Sequence, residues 1–268
     1  MNPSHRFGSG VLASLKRLFH LRQFQDSLRE RREHGGNSDG GYAGVDFSRL
    51  TLQEMRTELQ KAAEKAHPEF VQALRALASA TDSKGYDTHG HSERVTRFSV
   101  EIAKLMSLPA DEIERIRIGA LVHDVGKIAI DSGILNKPTI LTDAEYAVMK
   151  THTIRGCELL EHIPRLNNIT PGIRYHHEQV DGGGYPYGLK GDEIPLIARV
   201  IAVADCFDAM TTARPYQDPA PVGYVLGIVR SVAGIKYDAC VVEALVKAVE
   251  QGRILTRSED KVFNGCKR

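Results

Sequence analysis

Tryptophan is absent from the 268-residue chain, aromatic residues make up 6%, and only four cysteines occur, Cys157, Cys206, Cys240 and Cys266. They lie far apart with no CxxC pair, which excludes a thiolate zinc site of recognisable spacing and argues against a disulfide framework. Charge of one sign is missing as well. With 35 basic against 34 acidic side chains the formal charge is +1, which gives no global electrostatic reason to bind a DNA or RNA duplex or a membrane. No apolar run approaches the ~18 residues of a membrane span; the longest, 194–210, is interrupted by Arg199, Asp205 and Asp208. The first residues lack the apolar core and small-residue cleavage site of a signal peptide. A reduced, cytoplasmic protein without a transmembrane segment is expected, and a hydrophobic share of 42% is enough for a folded core.

Residues 1–45 read as a basic extension, with seven Lys/Arg against four Asp/Glu, a net +3. Val11, Leu15, Leu18, Phe19, Phe24 and Leu28 recur near helical spacing, which predicts an amphipathic helix over about 9–33, and the Gly-rich run 35–41 reads as a linker. The extension is either a loosely ordered tail or a helix that docks on a partner or a membrane surface. A helical lead-in follows over 46–80, then a main domain over 81–250 and a tail over 251–268. Asp46 is expected to cap a helix running through Leu50, Met55, Leu59 and Ala63 towards the 70s. Further helices begin near Ser92 and after Pro109. Thr142-Asp143-Ala144-Glu145 is a capping box for a helix that carries Met149 and His152, and Thr170-Pro171 opens a short helix ending at paired histidines. The stretch 181–195 is a Gly-rich loop, 195–212 a buried helix, and Asp238 a cap for the last helix. No alternating strand pattern and no internal repeat occurs. The expected fold is all-α.

What the chain has in quantity is histidine, eleven residues, several of them beside acids. His91, His123-Asp124, His152, His176-His177 and Asp205 are spread over successive predicted helices. His123-Asp124 follows the apolar run 118–122, and Asp205 lies within Val200-Ile201-Ala202-Val203-Ala204. Ionisable groups in such surroundings are costly unless paired or bound to metal. Mixed imidazole and carboxylate donors suit divalent iron, manganese, zinc, cobalt or nickel, and an adjacent His-Asp lets the carboxylate span two ions. Two ions so held act on phosphoryl groups, which points to a metal-dependent hydrolase acting on phosphoesters. His89 and His162 are read as solvent-facing or supporting residues, and Cys206 as a packed thiol.

Val122-His123-Asp124-Val125-Gly126-Lys127 resembles the HDxGK signature of HD-superfamily phosphohydrolases. His176-His177-Glu178 followed by Asp181-Gly182-Gly183-Gly184-Tyr185-Pro186 is similar to the HHE…DGxGYP signature of the HD-GYP subfamily. The likeness extends through Gly90-His91-Ser92, Ile134-Leu135-Asn136-Lys137-Pro138, Met149-Lys150-Thr151-His152, Ala202-Val203-Ala204-Asp205 and Arg214-Pro215-Tyr216, in the family's order over about residues 80–245. This resemblance implies an HD-superfamily helical bundle with a GYP loop, its catalytic part lying over 81–250. The implied reaction is hydrolysis of cyclic di-GMP to pGpG, sometimes on to GMP, in bacterial signalling. On that likeness His91, His123, Asp124, His152, His176, His177 and Asp205 ligate two or three divalent ions, iron or manganese first and nickel, cobalt or zinc next. Asp124 would bridge them, Lys127 would contact a phosphate oxygen, and Asp208 would orient a ligand or Lys127. Gly184, Tyr185, Pro186, Arg214 and Gln217 would face the dinucleotide.

The sequence departs from the pattern in places. Gln217 stands where a basic residue often follows RPY, and Met210-Thr211-Thr212-Ala213 replaces the common LTSD. A subclass holds a third ion with a glutamate four residues before the histidine matching His91; here Asp87 has that place, one methylene shorter. Two other readings stay open: a weakly active cyclic dinucleotide receptor that docks partners such as diguanylate cyclases through its GYP surface, and a hydrolase of another cyclic dinucleotide such as cyclic GMP-AMP.

Overall fold

The computed structural model describes residues 45–85, 90–212 and 219–256. The predicted 9–33 helix, the 35–41 linker, Asp87, His89, Arg214, Gln217 and the tail beyond 256 lie outside the described residues. All regular structure among those described is helical, and pairing of the strand type is confined to the isolated bridges Asp181–Lys190 and Ala233–Tyr237.

The helices are α1 (Leu52–Ala63), α2 (His67–Lys84), α3 (His91–Leu105), α4 (Ala110–Leu121), α5 (Ser132–Leu135), α6 (Asp143–Lys150), α7 (His152–Leu160), α8 (Thr170–Tyr175), α9 (Leu196–Thr211), α10 (Val222–Ser231) and α11 (Ala239–Glu250). A 3-10 turn, Val125–Ala129, lies between α4 and α5. The centre of the bundle is α9, which is apolar over most of its surface: Val200, Ile201, Val203, Ala204 and Phe207 are fully buried. A helix apolar over most of its faces belongs in a core, and α9 packs on α3, α4, α8, α10 and α11. Phe207 meets the edge of Phe98 on α3 at 5.5 Å; burying one such side chain contributes about 1.5–3 kcal/mol. Because α9 also carries Asp205 and Asp208, the packing that builds the core sets the height of both carboxylates.

Two predicted boundaries move. Asp46 caps only the 3-10 turn Phe47–Arg49; the helix proper starts at Leu52, where Thr51 and Glu54 form a full capping box, and it ends before Pro68 opens α2. The helix begun at Asp143 stops at Lys150, and His152 starts a separate helix, α7. The helix starts expected after Pro109, Thr142, Pro195 and Asp238, and at Thr170-Pro171, stand where the sequence puts them. Among the described residues no helix is long and apolar enough to cross a membrane.

Candidate metal centre

The histidines of the predicted cluster all sit at helix ends. His91 opens α3, His152 opens α7, and His123-Asp124 fill the turn between α4 and the 3-10 segment. His176 caps the C-terminal end of α8 with His177 next to it, and Asp205 projects from α9. The turn can approach α7 because residue 126 is glycine: a Cβ there would lie 1.8 Å from the His152 carbonyl oxygen and 2.5 Å from Gly156 N. Close backbone contact of this kind tolerates no side chain, and it brings Asp124 beside His152.

The chemistry of the cluster follows from where the imidazole protons go. His123 Nδ1 lies 2.7 Å from the Ala120 carbonyl oxygen, His152 Nδ1 2.8 Å from that of Met149, and His176 Nδ1 2.8 Å from that of Ile173. A carbonyl only accepts, so each Nδ1 donates and each Nε2 of the neutral ring carries a lone pair. These lone pairs point at one another and at a carboxylate. Asp124 Oδ1 is 3.4 Å from His152 Nε2 and 3.8 Å from His176 Nε2, while Oδ2 is 3.6 Å from His91 Nε2 and 3.5 Å from His123 Nε2. His123 Nε2 and Asp124 Oδ1 are buried without a hydrogen-bond partner. Acceptors facing acceptors repel unless a cation stands between them. Protons do not fill that role for these three rings, since burial pushes His123, His152 and His176 down to about 4, and it holds His177 well below the usual range. Neutral imidazoles plus a carboxylate kept ionised are what a divalent ion requires.

Two donor groups result, Asp124 with His152, His176 and His177, and His91 with His123 and Asp205, the donor atoms of each within 4.8 Å of one another. Asp124 turns one oxygen to each group, the arrangement a carboxylate needs to bridge two ions. Burial works against its charge, but the Lys127 ammonium, paired with Asp124 Oδ2, and the surrounding imidazoles hold its carboxyl far below the ordinary value. His91 is the exception among the rings. Burial opposes its protonation, yet Asp124, Asp208 and Asp205 outweigh that and push it up to about 9. Its Nδ1 donates to Asp208 Oδ2 at 2.8 Å. Asp208 in turn accepts from Arg94 Nε at 2.6 Å and Arg94 Nη2 at 3.1 Å, so Asp208 orients His91 and Arg94 orients Asp208.

The Gly-rich loop is tied to the same centre. Tyr185 N donates to the His177 carbonyl at 3.1 Å, and the Tyr185 ring stacks on the His177 ring at 4.8 Å and 27°. Gly184 permits this, because a Cβ would meet Gln179 N and Glu178 Cα at 2.4 Å. Pro186 follows Tyr185 through a cis peptide bond. Glu178, 3% exposed, accepts from the backbone N–H of Tyr187 (2.7 Å), Gly188 (3.2 Å) and Leu189 (3.1 Å).

The structure thus gathers His91, His123, Asp124, Lys127, His152, His176, His177, Gly184, Tyr185, Pro186, Asp205 and Asp208 in one region. It leaves His162 exposed beside Glu161. Cys206 is buried, its thiol pushed up to about 12 by that burial. Four residues escape a reading by motif. Asp82 on α2 accepts from Ser92 N (3.1 Å) and Ser92 Oγ (2.8 Å), fixing the start of α3. Arg94 lies three residues after His91, a spacing that puts both on one helix face. Glu178 and Lys150 stand inside quoted motifs without a role of their own.

The chain matches the HD domain family over residues 73–241. It belongs to that family. This HD domain is 38% identical over 216 residues to a cyclic di-GMP phosphodiesterase of Thermotoga maritima, covering 77% of the chain and 59% of the relative. It is 31% identical over 209 residues to 3'3'-cGAMP-specific phosphodiesterase 3 of Vibrio cholerae, covering 78% of the chain and 45% of the relative. The chain therefore spans about half the length of these relatives. A crystal structure of a cyclic GMP-AMP phosphodiesterase from V. cholerae superposes with a TM-score of 0.54 at 20% identity, over 68% of the chain and 49% of its own, which shows a shared fold.

Proposed function

We propose that this HD domain is a metal-dependent phosphodiesterase that opens cyclic di-GMP to pGpG as part of bacterial second-messenger signalling. The observation that carries the reading is Asp124, whose Oδ1 faces the buried rings of His152 and His176 and whose Oδ2 faces those of His91 and His123, while Lys127 pairs with the same carboxylate. Relatives named as cyclic di-GMP phosphodiesterases supply the substrate class. His123, Asp124, His152, His176, His177, His91 and Asp205 would hold two divalent first-row ions, a choice this mixed imidazole and carboxylate donor set suits, iron or manganese being what the family likeness implies, with Asp87 the candidate for a third. Such ions supply positive charge to a phosphoryl oxygen and make a water more acidic.

The chain's own residues do the rest. The backbone carbonyls of Ala120, Met149 and Ile173 keep three rings in the ligating tautomer. Asp208 and Arg94 fix His91. Lys127 offsets negative charge that grows on a phosphoryl oxygen beside Asp124. Glu178 and Gly184 hold Tyr185 against His177, where its ring would border the substrate, and Arg214 and Gln217 are further candidates for contact with the dinucleotide. Cys157, Cys206 and Cys240 are free thiols, in keeping with a reducing, cytoplasmic setting.

Cyclic GMP-AMP is the second reading, favoured by relatives specific for it. The test is purified protein loaded with Fe(II) or Mn(II) under anaerobic conditions and offered cyclic di-GMP and 3'3'-cyclic GMP-AMP, with linear products resolved by mass. Faster formation of pGpG supports the first reading, and preference for the mixed dinucleotide moves it to the second. Metal-loaded protein that cleaves neither would leave a nucleotide receptor.

A further inference from the structure

Lys150 ends α6, two residues before the ligand His152. Its ammonium stands over two rings, 5.2 Å from the Tyr146 centroid and 5.9 Å from that of Tyr185. The two rings meet edge to face at 6.4 Å, and Tyr185 is the ring stacked on His177. A single aromatic side chain therefore separates this cation from the metal-ligating imidazoles. The other lysines nearby are committed: Lys127 to Asp124, and Lys137 to Glu145 at 2.6 Å. Glu145, one of two acids on the same helix as Lys150, is used by Lys137 and by the cap at Thr142, and the other, Asp143, lies a further two residues away along the helix. Among the described residues no carboxylate pairs with Lys150. Its stem is half-buried, and aromatic faces hold an ammonium in place without consuming its N–H donors.

We propose that Lys150, seated on Tyr146 and Tyr185, binds the phosphate of the cyclic dinucleotide that is not being cleaved. The inference rests on the cyclic dinucleotide reading above and adds a residue to it. A cyclic dinucleotide carries two phosphodiester groups, and only one can lie at the metal centre. The second anion needs a positive partner outside the ligand cluster, on the side where the Gly-rich loop borders it. Lys127, drawn into the cluster by Asp124, is poorly placed to serve both phosphates. Lys150 is positively charged, unpaired by any described carboxylate, held at the edge of the site, and has donors to spare. Its position at a helix C-terminus also suits a cation on helix-dipole grounds alone, so the test must separate ligand binding from helix stability.

Wild type, Lys150→Met and Lys150→Arg are compared on cyclic di-GMP and on bis(p-nitrophenyl) phosphate, a diester with a single phosphate. Methionine keeps the apolar stem over the rings and removes the charge. Loss of one charge-assisted contact corresponds to roughly a 10- to 100-fold effect. Lys150→Met should raise KM for cyclic di-GMP by that factor, with the loss in KM rather than in kcat. The ratio of kcat/KM for cyclic di-GMP to that for the small diester should fall in step, and Lys150→Arg should recover most of it. A Lys150→Met variant with unchanged KM, or with equal losses on both substrates, overturns the proposal while leaving the phosphodiesterase reading intact. A parallel fall in Tm and in both activities overturns it too, in favour of a structural lysine. Wild-type enzyme that cleaves the small diester but no cyclic dinucleotide sinks the parent reading, and the Lys150 proposal with it.

Discussion

Gly126→Ala is the most economical probe of how the centre is assembled. The added methyl carbon would sit 1.8 Å from the His152 carbonyl oxygen, 2.5 Å from Gly156 N and 2.7 Å from His152 C. Carbon and oxygen atoms not bonded to each other need more than about 3 Å, and the obstacles are backbone, so no side-chain rotation relieves the clash. The turn and the first residues of α7 must separate by more than about 1 Å. Overpacking on this scale costs about 3 kcal/mol or somewhat more, which for a domain of this size is a fall in Tm of at least about 6 °C. The same displacement moves His152 relative to Asp124 by several times the ~0.2 Å tolerance of a ligand distance. Catalytic geometry misplaced by about 1 Å loses roughly 10²-fold in rate. Thermal unfolding with and without metal, metal content by mass spectrometry, and turnover of cyclic di-GMP report these three effects separately. A Gly126→Ala variant with Tm within about 2 °C of wild type and full metal content would refute the close-approach argument.

Asp124→Ala should strip metal from both donor groups and reduce hydrolysis below a tenth of wild type, because each group loses the oxygen facing it; metal analysis that finds one ion retained at full occupancy would show that the carboxylate serves a single site. Lys127→Ala should keep the metal and lower kcat by roughly 10²-fold if the ammonium acts on the transition state, whereas loss of metal would make its pairing with Asp124 structural. The chelated, metal-free protein should be most stable near pH 6.5. His123, His152 and His176, held down to about 4, refuse protons that the unfolded chain takes below about 6.5, so stability falls as pH drops from 6.5 towards 4. His91, pushed up to about 9, stabilises the fold below 6.5, and that stability is lost as pH rises through 9. Tm measured across pH 4.5–9.5 in chelator should therefore peak and decline on both sides, more steeply in acid, and a flat profile would contradict the buried neutral rings.

Local chemistry in the sequence was enough to place most helices, because their starts are written in proline, threonine and aspartate at the cap positions. It failed at 46–66, where two capping signals compete. Asp46 bonds to Ser48 and pairs with Arg49, closing a 3-10 turn, while Thr51 and Glu54 satisfy each other's backbone N–H and start the true helix. It failed again at Thr151, whose hydroxyl bonds back to the Val148 carbonyl at 2.6 Å at the break before His152. The candidate ligands were legible because each is a histidine or aspartate in a motif or an apolar run. Their supports were not. Arg94 reaches Asp208 across 114 positions of sequence, and Asp82 holds Ser92 from a different helix; pairs of this kind depend on how α2, α3 and α9 pack, which no spacing encodes.

One part of the site does have a local signature, and it explains why histidines gather where they do. The last carbonyls of an α-helix lack intrahelical donors. His123 bonds to Ala120 in the final turn of α4, His152 to Met149 in the final turn of α6, and His176 to Ile173 in the final turn of α8, each time across three residues. One hydrogen bond thus does two jobs. It satisfies an orphan carbonyl, and it commits the Nδ1 proton so that Nε2 is left as a donor to metal. The tautomer of these three rings is consequently fixed by backbone geometry and needs no carboxylate partner, unlike His91, which begins a helix, has no preceding carbonyl to use, and relies on Asp208 instead. A histidine one or two residues beyond a helical run is therefore a stronger ligand candidate than one in mid-helix, and among the rings of the cluster Asp208→Asn should disturb His91 directly, along with the Arg94 pair. Asparagine in that place keeps a hydrogen-bond acceptor but loses the charge that raises the ring's basicity, so affinity should fall for the ion held by His91, His123 and Asp205 while the group around His152 and His176 keeps its own. Two-step metal titration by calorimetry would resolve the difference, and an equal weakening of both steps would show that the two groups do not behave as separate sites.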